Sequence, residues 1–197
     1  MARQFVIHRH CPRVEEAHLL AIGRSRDGSL HHQARPETIA AFERMRADAG
    51  ASGVRLHVIW AYRSPVLQRE QFAEAERKYG RGKGIRWLAP PGYSEHQTGW
   101  VLDIGDLDDP EADDNPLFER TAAFRWLRDN ANRYDFELSF PPGNWQGVGY
   151  EPWHWRYVGT PAARAAFHPR GVRAVAVWGK SFCKAGICWL QSRLGGK

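Results

Sequence analysis

The stretch Val54 to Trp60 (VRLHVIW) alternates in side-chain character and is rich in branched residues, which commits the middle of the chain to an extended strand. Pro65 then opens PVLQREQFAEAERKY, a helical pattern that runs to Tyr79 with proline in its first turn, so Arg63 and Ser64 fall at a strand-to-helix junction. Upstream, residues 13 to 23 (RVEEAHLLAIG) carry apolar positions at helical spacing and stop at Gly23, while Pro36 to Ala49 (PETIAAFERMRADA) reads as a second helix ending at Gly50. Downstream, Gly80 to Gly92 is a loop rich in Gly, Pro and basic residues, and Gly99 to Ile104 (GWVLDI) suits a short buried strand. The acidic loop DLDDPEADDNP, a helix near Phe118 to Asn130, a strand around Phe136 to Phe140, a PPGN turn and a last strand near His154 to Val158 complete the order. VRAVAVW, beyond Pro161, could add an edge strand. Helices first, then strands interleaved with helices, predict a single α+β domain with a small, mainly antiparallel sheet flanked by helices.

At 197 residues, 43% hydrophobic and 25% charged, the chain fits one compact domain with a sizeable core. Its net charge of +6 favours an anionic partner, which nucleic acid, a cell-wall polymer or a membrane surface would each satisfy. The basic residues are scattered apart from the cluster Arg77, Lys78, Arg81, Lys83 and Arg86, and no RNP, zinc-finger or P-loop pattern accompanies them, so nucleic acid is not an expected partner. Cys11, Cys183 and Cys188 are too few and too far apart for a disulfide scaffold or a four-thiolate metal site, although Cys183 and Cys188 could either pair or stay reduced. MARQFVIHRHCPRVEEAH lacks a signal-peptide pattern and no stretch has the length of a membrane span, so the sequence as it stands reads as soluble.

Two segments carry metal-ligand residue types beside Gly-containing turns: Ser94-Glu-His96-Gln-Thr-Gly99-Trp-Val-Leu-Asp103 and Glu151-Pro-Trp-His154. Together they hold two imidazoles and two carboxylates that suit a catalytic zinc, which takes three protein ligands and keeps one position open. Asp103 follows His96 on the expected strand, where a rigid backbone can aim a short side chain, and is the better third ligand with His96 and His154. Glu151, just before His154, is then left as a base. A histidine near a glycine turn can equally be a hydrogen-bonded structural residue, and the spacing alone does not decide between the two.

These segments match S-x-H-x-x-G-x-A-x-D followed by E-x-W-H, and the chain resembles the zinc D-alanyl-D-alanine carboxypeptidases and dipeptidases of the VanY and VanX kind. The match extends upstream to Tyr62-Arg63-Ser64 and Gln68 and downstream to Trp155-Arg156-Tyr157-Val158-Gly159. It implies a peptidase core over 36–160, an N-terminal extension over 1–35 packed on it, and a C-terminal extension with a basic tail over 161–197. By that resemblance His96, Asp103 and His154 hold Zn2+, Glu151 is the catalytic base, and Arg63 is a catalytic group that meets the substrate's carbonyl or terminal carboxylate. Arg63 suits that part, since its fork of donors pairs with carboxylates and is not favoured at a helix N-terminus unless something anionic lies nearby. Gln68 and Ser94 are implied to bind substrate; a solvated helix face for Gln68 and turn capping for Ser94 are the competing readings. One departure stands out: Val101 replaces the pattern's Ala and bulky Trp100 sits beside it, which bears on packing or on the pocket wall.

The resemblance implies a hydrolase, a metallopeptidase acting on peptidoglycan stem peptides in the bacterial cell envelope or periplasm, as a monomer. A carboxypeptidase releasing terminal D-Ala is the favoured reading, with an endolysin-like endopeptidase and a D-Ala-D-Ala dipeptidase as alternatives. A non-catalytic cell-wall-binding module is the alternative from another class, disfavoured because such a module has no need of Glu151. Trp145, Trp153 and Trp155 around the second motif either stack on wall components or fill the core. His8, His10, His18, His31, His32, His57 and His168 lack a comparable context and read as structural or exposed.

Overall fold

The structure, a computed structural model, describes residues 5–24, 28 and 31–168, and the backbone of 175–178. Cys183 and Cys188 lie outside the described residues. In chain order the elements are β1 (Val6–Arg9), β2 (Leu20–Arg24), β3 (His31–Ala34), α1 (Pro36–Ala51), β4 (Leu56–Trp60), α2 (Pro65–Tyr79), β5 (Val101–Asp106), α3 (Ala122–Asn130), β6 (Phe136–Leu138), β7 (His154–Tyr157), α4 (Pro161–Phe167) and β8 (Val175–Trp178). The main sheet has the order β4-β5-β7-β6 with every pair antiparallel. Two-stranded ladders β2-β3 and β1-β8 flank it. This is the expected α+β domain. Among the described residues no helix is long and apolar enough to cross a membrane.

The centre of the sheet is β5, all six of whose residues are buried, as befits a strand covered on both faces. Its register sets Leu102 opposite Trp155 and Asp103 opposite His154. Directly paired residues carry Cβ atoms only about 5 Å apart, so a one-residue slip would send every side chain to the other face. On the other flank, β4 carries a bulge between Val58 and Trp60, and Trp60 pairs with Asp103. Bulges re-aim side chains at sheet edges. Here Ile59 and Trp60 are turned into a cleft.

Helix α1 buries Thr38, Ala41, Phe42, Met45 and Ala49, one stripe at helical spacing, against this sheet's core. Each fully buried large side chain such as Phe42 contributes about 1.5–3 kcal/mol. Helix α2 starts where its sequence says it should: the Ser64 side chain accepts from Leu67 N–H, Pro65 takes the first turn, and Gly80 at φ +88° closes the end by donating to Glu76. Thr121 caps α3 in the same way as Ser64 caps α2.

Two expectations need correction. Residues 13–23 form a short 3-10 turn (Glu16–His18) followed by β2, not a helix. Leu20 to Arg24 pairs instead with His31 to Ala34, because a short apolar run satisfies a strand as readily as a helix. The strand in VRAVAVW joins β1 rather than an edge of the main sheet. Of the two readings for Trp100 and Val101, packing holds: Val101 is fully buried, Trp100 donates to Glu37 (2.8 Å) beneath the Arg35 guanidinium, 4.1 Å from the ring centre, and neither lines the cleft.

The N-terminal segment is tied down by several links. Ile7 N–H donates to Gln146 O (2.7 Å), Gln146 returns a bond to Ile7 O (3.1 Å), and Cys11 N–H reaches Gly92 O (3.2 Å). His8 is buried with Nε2 donating to Ile85 O (2.6 Å). Burial pushes the His8 imidazole down to about 4, against the pull of that carbonyl. The unfolded chain would therefore take up a proton as pH falls through 6.5 while the folded protein would not until about 4, so stability drains away over that window. The difference in urea-unfolding free energy between wild type and His8→Gln should change by roughly 3 kcal/mol between pH 7 and pH 4. Parallel pH profiles would show that His8 protonates in place at no cost.

Candidate active site

One cleft of ≈ 350 Å³ opens above the β4-β5-β7 surface. His96, Asp103, Glu151, His154, Arg63 and Ser94 all line it. His96 arrives on a 3-10 turn (Glu95–Thr98) that ends at Gly99 in the left-handed region, φ +73°. A Cβ there would come within 2.9 Å of Leu19 and 3.1 Å of Arg35, so the turn needs glycine both for its backbone and for the close packing of the N-terminal segment. Arg35 and Thr38 clamp the same turn through bonds to Thr98 O (2.8 Å) and Gly99 O (3.2 Å).

His96 Nδ1 lies 2.7 Å from Ala61 O. A carbonyl only accepts, so that nitrogen carries the proton and Nε2 presents its lone pair, 3.2 Å from Asp103 Oδ2. His154 is turned the opposite way: Nε2 lies 3.1 Å from Glu95 Oε2, which leaves Nδ1 facing Asp103 Oδ1 at 3.1 Å and Glu151 Oε2 at 3.5 Å. Although His154 Nδ1 and Asp103 Oδ1 approach to 3.1 Å, Oδ1 is buried and receives no directed hydrogen bond. The short separation and the missing bond fit one picture, two lone pairs turned toward a shared cation. Ligand atoms of His96, Asp103 and His154 lie within 4.8 Å of one another. Two imidazole nitrogens, each backed by an acceptor on its far side, and one buried carboxylate could hold a metal ion, and this is the kind of donor set that suits zinc.

The electrostatics divide the carboxylates. For Asp103 burial opposes ionisation, yet positive charge on the facing His96 and His154, whose place a bound cation would take, more than offsets it and holds the carboxyl below its ordinary range. For Glu151 burial pushes the carboxyl up to about 8, with the charges of Asp103, Asp114 and Glu95 adding to the push and His154 opposing it. Environments that drive two neighbouring carboxyls apart assign one to hold charge and the other to move a proton. A bound cation would draw Glu151 back down.

Arg63 enters from the start of α2. Its Nη1 donates to Gln68 Oε1 (3.1 Å), its Nε is buried without a hydrogen-bond partner, and its backbone N–H binds His96 O (3.3 Å). Gln68 is fully buried behind Arg63, its Nε2 donating to Ala89 O (2.6 Å), and it does not reach the cleft. Ser94 precedes the 3-10 turn but its hydroxyl makes no capping bond, which leaves it free for the cleft. The three tryptophans separate: Trp155 is in the core, Trp153 lines the cleft, and Trp145 is exposed.

Sequence reasoning passed over several residues at this site. Glu95 sits beside His96 in the chain yet bonds to His154. Burial opposes its ionisation, but Arg156 and His154 outweigh that and bring it down to about 2. Asp114, in the left-handed region at φ +52°, lines the cleft, and burial aided by the Asp103 charge raises it to about 6. His8, Arg9 and Cys11 supply a wall from far upstream. The one available signal was the unbroken Ser-Glu-His sequence, which places a carboxylate next to a ligand without saying where it points.

Comparison with known proteins gives a consistent picture. The family model described as VanY, D-alanyl-D-alanine carboxypeptidase, matches residues 31–160. A D-alanyl-D-alanine carboxypeptidase of Enterococcus faecalis is 34% identical over 131 residues, 61% of this chain and 46% of the relative. The chain spans about half the length of the first curated relatives it matches. Among solved structures, the LD-carboxypeptidase LdcB superposes with a TM-score of 0.68 at 31% identity, covering 77% of this chain and 73% of LdcB. A mutant of the vancomycin-resistance D,D-pentapeptidase VanY, in complex with Zn(II), gives 0.60 at 26% identity over 83% of this chain and 92% of that one.

Proposed function

The chain belongs to the VanY D-alanyl-D-alanine carboxypeptidase family, and from that premise we propose that it is a zinc metallopeptidase releasing terminal D-Ala from peptidoglycan stem peptides. The observation that carries the reading is the convergence of His96 Nε2, His154 Nδ1 and the Asp103 carboxylate beside the buried Glu151 carboxyl, 3.5 Å from His154 Nδ1. All of these groups come from one chain, which supports action as a monomer. A peptidoglycan substrate would put its work in the cell envelope or periplasm. Residues 36–160 would be the peptidase core, with 1–35 and 161–197 as extensions.

In this reading His96, Asp103 and His154 hold zinc. The chemistry zinc supplies when bound there is polarisation of the scissile carbonyl and easier deprotonation of the attacking water. Glu151 takes the water's proton as oxygen bonds to the carbonyl carbon, then delivers it to the leaving amine nitrogen as the C–N bond breaks. Arg63, whose side chain lines the cleft, offsets charge on the scissile oxygen or anchors the terminal carboxylate. Gln68 acts through Arg63, holding its guanidinium, and the Ser94 hydroxyl meets the peptide backbone.

A second reading, cleavage of an L,D bond, is favoured by the likeness to the LD-carboxypeptidase LdcB. Metal content of the purified chain, paired with amino-acid release from a stem pentapeptide, a stem tetrapeptide, free D-Ala-D-Ala and a cross-linked dimer, tests all of these together. One zinc per chain with D-Ala released from the pentapeptide is the expected result. Release from the tetrapeptide alone would move the assignment to the L,D bond, the dipeptide alone to a dipeptidase, and the dimer alone to an endopeptidase. Absence of zinc would sink the site.

A further inference from the structure

We propose that Glu95 is a positioning residue that decides which nitrogen of His154 is left for the metal and where that nitrogen points. The inference rests on the reading of His154 as a zinc ligand. Glu95 is adjacent to His96 in sequence, but its side chain crosses to the neighbouring strand. Oε2 lies 3.1 Å from His154 Nε2 and accepts from Ser139 Oγ at 2.7 Å, while Oε1 accepts from Arg156 Nη1 at 3.1 Å. Arg156 is fixed in turn by Glu137, 2.5 Å from its Nε. Both carboxylate oxygens are thus engaged, and Ser139, His154 and Glu95 are all buried.

A neutral imidazole has one proton to place. On Nε2 it meets Glu95, and the Nδ1 lone pair is free. On Nδ1 it would point at Asp103 and Glu151, whose oxygens lie 3.1 and 3.5 Å away, and the metal position would be closed by a hydrogen bond. Those two anions make the second arrangement attractive, so a competing anion on the far side is needed to hold the first. Glu95 is that anion. At His96 the same task falls to the neutral carbonyl of Ala61, because the Nε2 of His96 faces Asp103 but has no contact with Glu151 comparable to that of His154. A carboxylate behind an imidazole also strengthens it as a donor to metal.

The competing possibility is that Glu95 only neutralises buried Arg156. The two differ in what the metal reports. Zinc affinity, measured by competition with a chromophoric chelator, should weaken about ten- to hundredfold in Glu95→Ala. Glu95→Gln, whose amide oxygen can still accept from Nε2, should recover part of that loss and settle about three- to tenfold below wild type. The visible absorption of the cobalt-substituted protein should shift in Glu95→Ala, because the bound nitrogen is reoriented. Zinc affinity within twofold of wild type and an unchanged cobalt spectrum, with only the melting temperature lowered, would overturn the proposal. Should Glu95→Ala fail to fold, Glu95→Gln decides by the same twofold criterion. A wild type that binds no zinc would instead overturn the metal site itself.

Discussion

Glu151→Gln should retain one zinc per chain and lose about a hundred- to ten-thousandfold in turnover. The side chain lies 3.5 Å from His154 Nδ1 and is buried, yet it is the carboxyl that burial pushes up to about 8, unlike Asp103, whose surroundings keep it charged. Glutamine preserves shape and removes the ability to take and return a proton. It also relieves a buried acid that sits among the charges of Asp103, Asp114 and Glu95, so the melting temperature should hold or rise. Metal content by mass spectrometry and D-Ala release on the same preparation check both halves. Full activity in the variant would remove Glu151 from the base role; loss of zinc would make it a ligand instead.

His154→Ala should lose both zinc and turnover, because its Nδ1 is the only donor on β7 and the remaining His96 and Asp103 cannot close a three-ligand set. The variant also leaves Glu95 Oε2 with Ser139 alone, and a lost hydrogen bond to a charged group costs about 1.5–3 kcal/mol. Unfolding and metal loss are separable by chemical denaturation of both proteins without metal. Stoichiometric zinc in a folded His154→Ala protein would strike it from the ligand set.

Much of this site could be read in the chain because its parts are local. His96 and Asp103 are separated by one turn and the entry to one strand, and Glu151 and His154 by a single turn in which His154 N–H binds Glu151 O at 3.1 Å. Short spacing leaves few geometries. Helix α2 was legible for a similar reason, since Ser64, Pro65 and Gly80 mark its ends with side-chain and backbone chemistry of their own. What could not be read depends on distant pairing. The apolar run after His18 became a strand only because His31–Ala34 was there to meet it, and β1 found β8 across most of the chain. Glu95 and Gln68 show the limit most clearly: Glu95 adjoins His96 yet bonds to His154 on another strand, and Gln68, five residues after Arg63, is sealed beneath it. Sequence position gives adjacency along the backbone but not the direction of a side chain.

The candidate ligands and most of the walls of the cleft come from different parts of the chain. Asp103 and His154 are paired across β5 and β7, whereas His8, Arg9 and Cys11, the segment Trp87–Ala89, and Phe140, Gln146 and Val148 enclose the space above them. Those enclosing segments lie outside the β5-β7 pairing, although Phe140 packs on the His154 ring and its carbonyl accepts from Glu151 N–H (3.2 Å). The candidate site therefore draws on two parts of the chain: its central residues sit on paired strands inside the family-matched span 31–160, while one piece of its border, His8 to Cys11, comes from upstream of that span. Substitutions in that upstream piece would alter the wall of the cleft while leaving Asp103 opposite His154.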